Sequence, residues 1–325
     1  MGGRQRAGEY MPDIRLRTVT RTQGNNRALK DGAVTPRGFQ FVFEEVPVLV
    51  DAFRRMVRGL EFDVCEMAMT TYLCAKAHGK PFTALPIFLV RGFHHGAIVH
   101  APQAGIQSPK DLEGRQVGVN RGYTVTTGVW ARGVLQEEYG VDLSQVTWVL
   151  SGDEHVAEYR PPANVVPMRP AGRLPELVAA GELAAAVGVS AGAPGLTPLI
   201  PDAAEAGFAA LRRRGHYPIN HLVVVRDDLL SAHPELATDV FEAFSRAKNL
   251  YVDRLRRDAI EEPTPADIMY RRVMDITGAD PLPYGIAPNR GVIEELIEHA
   301  VSQRILDRRP AVESLFAEST VDLTG

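Results

Sequence analysis

From Ser108 to Leu150 the chain alternates helical and strand patterns with turn chemistry between them, and this rhythm constrains the fold more than any other feature. Ser108 and Pro109 supply an N-cap and a first-turn proline, and Gly114 stops the short helix they begin. Gln116 to Asn120 then reads as a strand, Val125 to Tyr139 as a helix closed by Gly140, and Val146 to Leu150 as another strand. Leu174 to Ala180, Gly181 and Leu183 to Val189 repeat the helix-then-strand unit. Strands separated by helices predict an α/β fold with largely parallel sheets. At 325 residues, two sheets are the natural count.

Around this core, Arg15 to Thr20 reads as a first strand, followed by a turn at Asn25-Asn26. Pro47 opens a helix with Val48, Phe53, Met56 and Leu60 on one face. Phe62 to Cys65 is a strand and Ala68 to Ala77 a helix. Phe82 to Val90, Ala97 to His100 and Leu222 to Arg226 read as strands. The C-terminal third is helical over about 234–257, 266–277 and 289–303, and the run through Pro161 and Pro162 reads as a polar connection.

A formal net charge of -4 offers no basic stripe for phosphates, so no nucleic-acid partner is expected. No apolar run follows Arg4 and Arg6 as a secretory signal requires, and none is long enough to span a bilayer. The expectation is therefore a cytoplasmic protein with no membrane partner, preceded by a flexible tail over residues 1–11. The two cysteines, Cys65 and Cys74, sit in apolar surroundings and read as buried reduced thiols.

Gly188-Val-Ser190-Ala-Gly192 matches a nucleophile elbow, but Ala193-Pro194-Gly195 and Pro198 follow where an elbow requires a helix. A strand end with a small-residue loop, at which Ser190 can approach a ligand, is the better reading. His94 and His95 are adjacent and should point apart, so neither they nor His100 are assigned a metal. No cofactor is called for, and a divalent metal held by distant residues is left open. Arg121, Gly122, Tyr123, Thr124, Thr126 and Thr127 lie between a strand end and a helix start. There they form a carboxylate cradle, or else Thr124 or Thr126 simply caps the helix. His216, Tyr217, Asn220 and His221 crowd around Pro218, either for chemistry or as buried hydrogen-bonding groups. Arg27 and Arg91 follow strands and suit bidentate carboxylate binding.

Four stretches carry a family resemblance: Phe62-Asp-Val-Cys-Glu-Met67, Ser108 to Val119, Val129 to Val141, and Asp280-Pro-Leu-Pro-Tyr-Gly285 through Arg290. With the Tyr217-Pro-Ile-Asn-His221 pattern, the chain resembles the 4,5-dihydroxyphthalate decarboxylase family over nearly its whole length. That resemblance implies a two-lobed fold of the type II periplasmic-binding-protein kind with a cleft between the lobes. Lobe one would hold 12–100 and 223–325, and lobe two 101–222. It also implies a cofactor-independent decarboxylase of a hydroxylated aromatic carboxylate, with a non-catalytic solute-binding protein for an importer or sensor as the alternative. On that reading His95 or His221 donates a proton to the ring, and His216 or Glu66 accepts from the phenol. Arg27, Arg91 and the 121–127 loop hold carboxylates, Tyr123 or Trp130 packs on the ring, and His94, Ser190, Tyr217 and Asn220 complete the pocket. A homodimer through the C-terminal helices is a further expectation.

Overall fold

The computed structural model describes residues 14–169, 172–190 and 192–325. The expected flexible tail, 1–11, lies outside the described residues. The strands are β1 (Ile14–Val19), β2 (Phe39–Phe43), β3 (Val64–Ala68), β4 (Phe82–Arg91), β5 (Ile98–His100), β6 (Gln116–Val119), β7 (Thr147–Leu150), β8 (Val165–Pro167), β9 (Ala185–Val187), β10 (Thr197–Pro198) and β11 (Ile219–Arg226). The α-helices are α1 (Arg27–Lys30), α2 (Leu49–Gly59), α3 (Met69–Ala77), α4 (Thr126–Tyr139), α5 (Leu174–Ala179), α6 (Ala203–Arg214), α7 (Asp227–Ala232), α8 (Leu236–Arg256), α9 (Pro265–Thr277) and α10 (Arg290–Ser302).

Two sheets result. The first has the order β2-β1-β3-β11-β4 and the second β10-β5-β9-β6-β7-β8. The strands fed by helices pair in parallel, β1 with β2 and β3, and β6 with β7 and β9. The strands next to the crossings run antiparallel, β11 against β3 and β4, and β5 against β9. Every residue of β3 is buried, because this mixed sheet is covered on both faces at its centre. On α2 the buried set Leu49, Ala52, Phe53, Met56 and Val57 has helical spacing and packs one face down, and Leu60 ends the helix with a left-handed backbone.

The expected lobe boundaries shift by a few residues. β5, expected in lobe one, hydrogen-bonds in the second sheet, and Ile219 to Leu222, expected in lobe two, belong to β11 of the first. The chain therefore crosses between sheets within residues 92–97 and again within 199–218. The polar connection after β7 contains β8, which pairs with β7.

Candidate active site

Midway along β3 the Glu66 carboxylate is fully buried, an arrangement that needs compensating donors. It has two: the Arg21 backbone N–H donates to Oε2 at 2.9 Å, and His221 Nδ1 lies 2.7 Å from Oε1. In the β3–β11 register Glu66 faces Val223 and His221 faces Ala68, so Glu66 and His221 are diagonal neighbours on one face of the sheet. Phe53 of α2 packs edge-on against the imidazole at 5.2 Å. With Nδ1 on Glu66, the ring's Nε2 is the nitrogen left to exchange a proton with a ligand.

The 121–127 loop does aim donors at one point, and the chain's own carboxylate occupies it. Tyr123 N–H donates to Glu154 Oε1 at 2.5 Å. Thr124 donates to Oε2 from its N–H at 3.2 Å and from its hydroxyl at 2.6 Å. Arg121 adopts a left-handed backbone, φ 71°, with its N–H on Ser151 Oγ. Its side chain is exposed, and Thr127 is half-buried beside it. Thr124 and Thr126 also latch the lobes together. Thr70 N–H donates to Thr126 Oγ1 at 3.0 Å, and the Thr70 hydroxyl donates to Thr124 O at 2.6 Å.

The exit of β7 continues to His155, which reasoning from the sequence missed. It is buried, its Nδ1 lies 3.1 Å from Thr71 Oγ1 across the lobe boundary, and its Nε2 has no partner among the described residues. Burial pushes this imidazole down to about 4, so it is neutral near pH 7. Its ring lies 6.2 Å from Phe53, so His155 and His221 both neighbour that phenyl ring. A cavity of about 620 Å³ opens at the strand ends of the second sheet, lined by Asn120, Ser151, Met168, Arg173, Gly188 and Ser190. Its size suits a small organic ligand. Ser190 is exposed, its Oγ accepts from Gly192 N–H, and the chain proceeds to β10 without the helix that an elbow serine requires.

Several expected ligand groups are committed elsewhere. Arg91 is buried, donating to the carbonyls of Tyr217 and Pro283 and to Asn289 Oδ1. It braces the Asp280–Gly285 run against the hinge rather than reaching for a carboxylate. Tyr217 is buried with its hydroxyl turned back to Arg91 O. Tyr123 stacks beneath the buried Arg132 guanidinium at 3.8 Å, inside lobe two. Trp130 is buried, donates to Ile219 O at 2.8 Å and stacks on His94, so it pins the hinge instead of paving the cleft. Asn220 and His221 are adjacent on β11 and diverge, Asn220 meeting His94 Nε2 at 3.0 Å. His94 is held neutral by burial, pushed down to about 3.

His95 turns away from His94 to Glu138 at 3.2 Å, as expected of neighbours, and His216 turns to Glu295 at 2.5 Å. Neither lies with Glu66 and His221. Arg27 is exposed at the start of α1. Arg21, which the sequence did not single out, is the arginine whose backbone meets Glu66. Among groups able to hold a cation, Glu137, Glu295 and His299 lie together behind the hinge.

The chain is similar to a protein named 4,5-dihydroxyphthalate decarboxylase from Comamonas testosteroni, 29% identical over 333 aligned positions that cover 96% of this chain and 99% of that one. A protein of the same name from Pseudomonas putida is 34% identical over 175 positions, covering 50% of this chain and 65% of its own. No family model matches. Among solved structures, the periplasmic aliphatic sulphonate binding protein SsuA from Escherichia coli superposes with a TM-score of 0.52 at 12% identity, covering 93% of this chain and 91% of that one. The desulfurization enzyme DSZB superposes with a TM-score of 0.52 at 13% identity, covering 94% and 96%. The chain is thus similar in sequence over 96% of its length to a protein named 4,5-dihydroxyphthalate decarboxylase, and it shares its two-lobed α/β fold with a periplasmic binding protein and a desulfurization enzyme.

Proposed function

We propose that the chain is a carboxy-lyase that removes one carboxylate, as CO2, from a hydroxylated aromatic acid of the 4,5-dihydroxyphthalate kind. The observation that carries this reading is the Glu66–His221 pair, 2.7 Å apart across β3 and β11, with the carboxylate fully buried and the imidazole partly exposed. Its placement suits proton transfer to a ligand held between the lobes. The similarity to decarboxylases over 96% of the chain supports it.

A hydroxyl para to the departing carboxylate pushes electrons into the ring, and the carbon bearing that carboxylate takes a proton. The C–C bond to the carboxylate then breaks, CO2 leaves, its bonding electrons return to the ring and aromaticity is restored. His221 Nε2 supplies the proton, with Glu66 fixing the imidazole by Nδ1. His155 Nε2 hydrogen-bonds the phenol, and Arg21 or Arg121 pairs with the retained carboxylate. His221 recovers its proton from water once the lobes open. A charge-spreading transition state of this kind gains from exclusion of water, which lobe closure provides. Among the described residues no helix is long and apolar enough to cross a membrane. We place the reaction in the cytoplasm, on substrate already inside the cell.

The test is incubation with 4,5-dihydroxyphthalate and a panel of hydroxylated phthalates and benzoates, following CO2. Release of one CO2 per substrate consumed supports the enzyme. Thermal stabilisation by the same compounds without any depletion overturns it in favour of a solute-binding protein.

A further inference from the structure

Behind the hinge, on segments the reaction does not use, α4 and α10 pack together beside the end of α6. Glu137 of α4 and Glu295 and His299 of α10 place one ligand atom each within 4.8 Å of one another. Two helix glycines make this possible despite the residue's low helix propensity: a Cβ on Gly133 would strike the His299 ring at 2.4 Å, and one on Gly291 would strike His216 at 2.5 Å. His299 is 3% exposed and lies 3.7 Å by Nδ1 from Glu137 Oε1. A cavity of about 10 Å³, room for a single water or ion, sits among His94, Glu137, His216, Glu295 and His299. His94 is 4% exposed, and its Nδ1 has no partner among the described residues.

Glu137, Glu138 and Glu295 face the guanidiniums of Arg213 and Arg214 and the imidazoles of His299, His95 and His216. Arg214 engages Glu137 Oε2 and Glu295 Oε1, leaving Glu137 Oε1 toward His299 and Glu295 Oε2 toward His216. We propose that Glu137, Glu295 and His299 bind one divalent cation of the zinc class, which ties α4 to α10 beside the crossing between the two sheets. One imidazole and two carboxylates are a zinc-type donor set, and a fourth position stays open for water or for His216. The role is structural and independent of the proposed decarboxylation.

The experiment is calorimetric titration of the chelator-treated full chain with zinc chloride, with thermal unfolding read in parallel. Wild type should bind one zinc per chain and unfold at a higher temperature when loaded. Glu295→Gln and His299→Ala should each weaken binding by at least about tenfold and abolish the thermal shift. Substituting the exposed His78 by Ala should change neither. Glu137→Gln, at a half-exposed position, provides the same reading should the His299 variant fail to fold. Absence of saturable zinc binding, or wild-type affinity in the Glu137→Gln and Glu295→Gln variants, overturns the proposal and leaves Arg213 and Arg214 as the cluster's counter-charges.

Discussion

Glu66 and His221 meet at 2.7 Å on one face of the β3–β11 pair, with the carboxylate fully buried and the imidazole still reachable. Positioned proton transfer contributes about 10²- to 10⁴-fold to a rate. His221→Ala should therefore lower kcat for CO2 release by at least about a hundredfold with KM little changed. Glu66→Gln keeps a hydrogen-bonding group and should lower kcat less. Full turnover by a folded His221→Ala protein would remove the proton donor from the mechanism.

The carboxylate of Glu154 sits on the donors of the 121–127 loop. A substrate carboxylate that uses this cradle must displace it. Truncation to Glu154→Ala strips three hydrogen bonds from part-buried donors, a loss of about 1–3 kcal/mol in the free protein. A hydroxylated benzoate should restore more thermal stability to this variant than it adds to wild type. Equal ligand-induced shifts in the two proteins would confine the loop to a structural role.

These two relationships mark what was legible in the sequence. Helix and strand periodicity placed β6, α4 and β7, and Gly140 ends α4 with the left-handed backbone its sequence predicts. Glu66 and His221 could be singled out by type, yet their pairing depends on an antiparallel register between strands 155 positions apart, which no local pattern encodes. Arg91 failed for a related reason: an arginine after a strand looks the same whether it meets a ligand or, as here, the carbonyls of Tyr217 and Pro283. The resemblance places Trp130 and His216 in the site, and Ile219 O and Glu295 draw them behind the hinge. Asp153-Glu154-His155 carried a usable signal, since polar residues just past a parallel strand stand where ligands bind. It was lost in what read as a featureless connection.

His155 is buried and held neutral down to about pH 4, whereas an unfolded histidine titrates near 6.5. Between these values the unfolded chain binds the extra proton, so this residue's contribution to stability is complete above about pH 6.5 and falls as the pH drops toward 4. The loss is on the order of 3 kcal/mol. Urea midpoints measured from pH 7 to pH 4 should decline, and His155→Gln should flatten the decline. A variant with an unaltered pH slope would show that His155 is reached by protons in the folded state.

Arg58 of α2 spans the cleft, donating to Asp153 Oδ2 at 2.9 Å, to Glu154 O at 2.6 Å and to His155 O at 3.2 Å, while Arg54 meets Asp153 Oδ1 at 2.6 Å. Asp153 is exposed and the ion pairs are screened, so each adds at most about 1 kcal/mol to stability. The effect on lobe closure is larger, because Arg58 also holds the two carbonyls that position Glu154 and His155. Arg58→Ala should shift the unfolding temperature only slightly, widen the ligand-free protein in small-angle scattering, and raise KM several-fold more than it lowers kcat. Arg54→Ala loses an ion pair alone and should show a weaker form of the same pattern, diminishing further as salt is added. An Arg58→Ala protein with unchanged scattering and unchanged KM would mean that the Thr70–Thr126 latch and the Trp130 pin suffice to set the closed geometry.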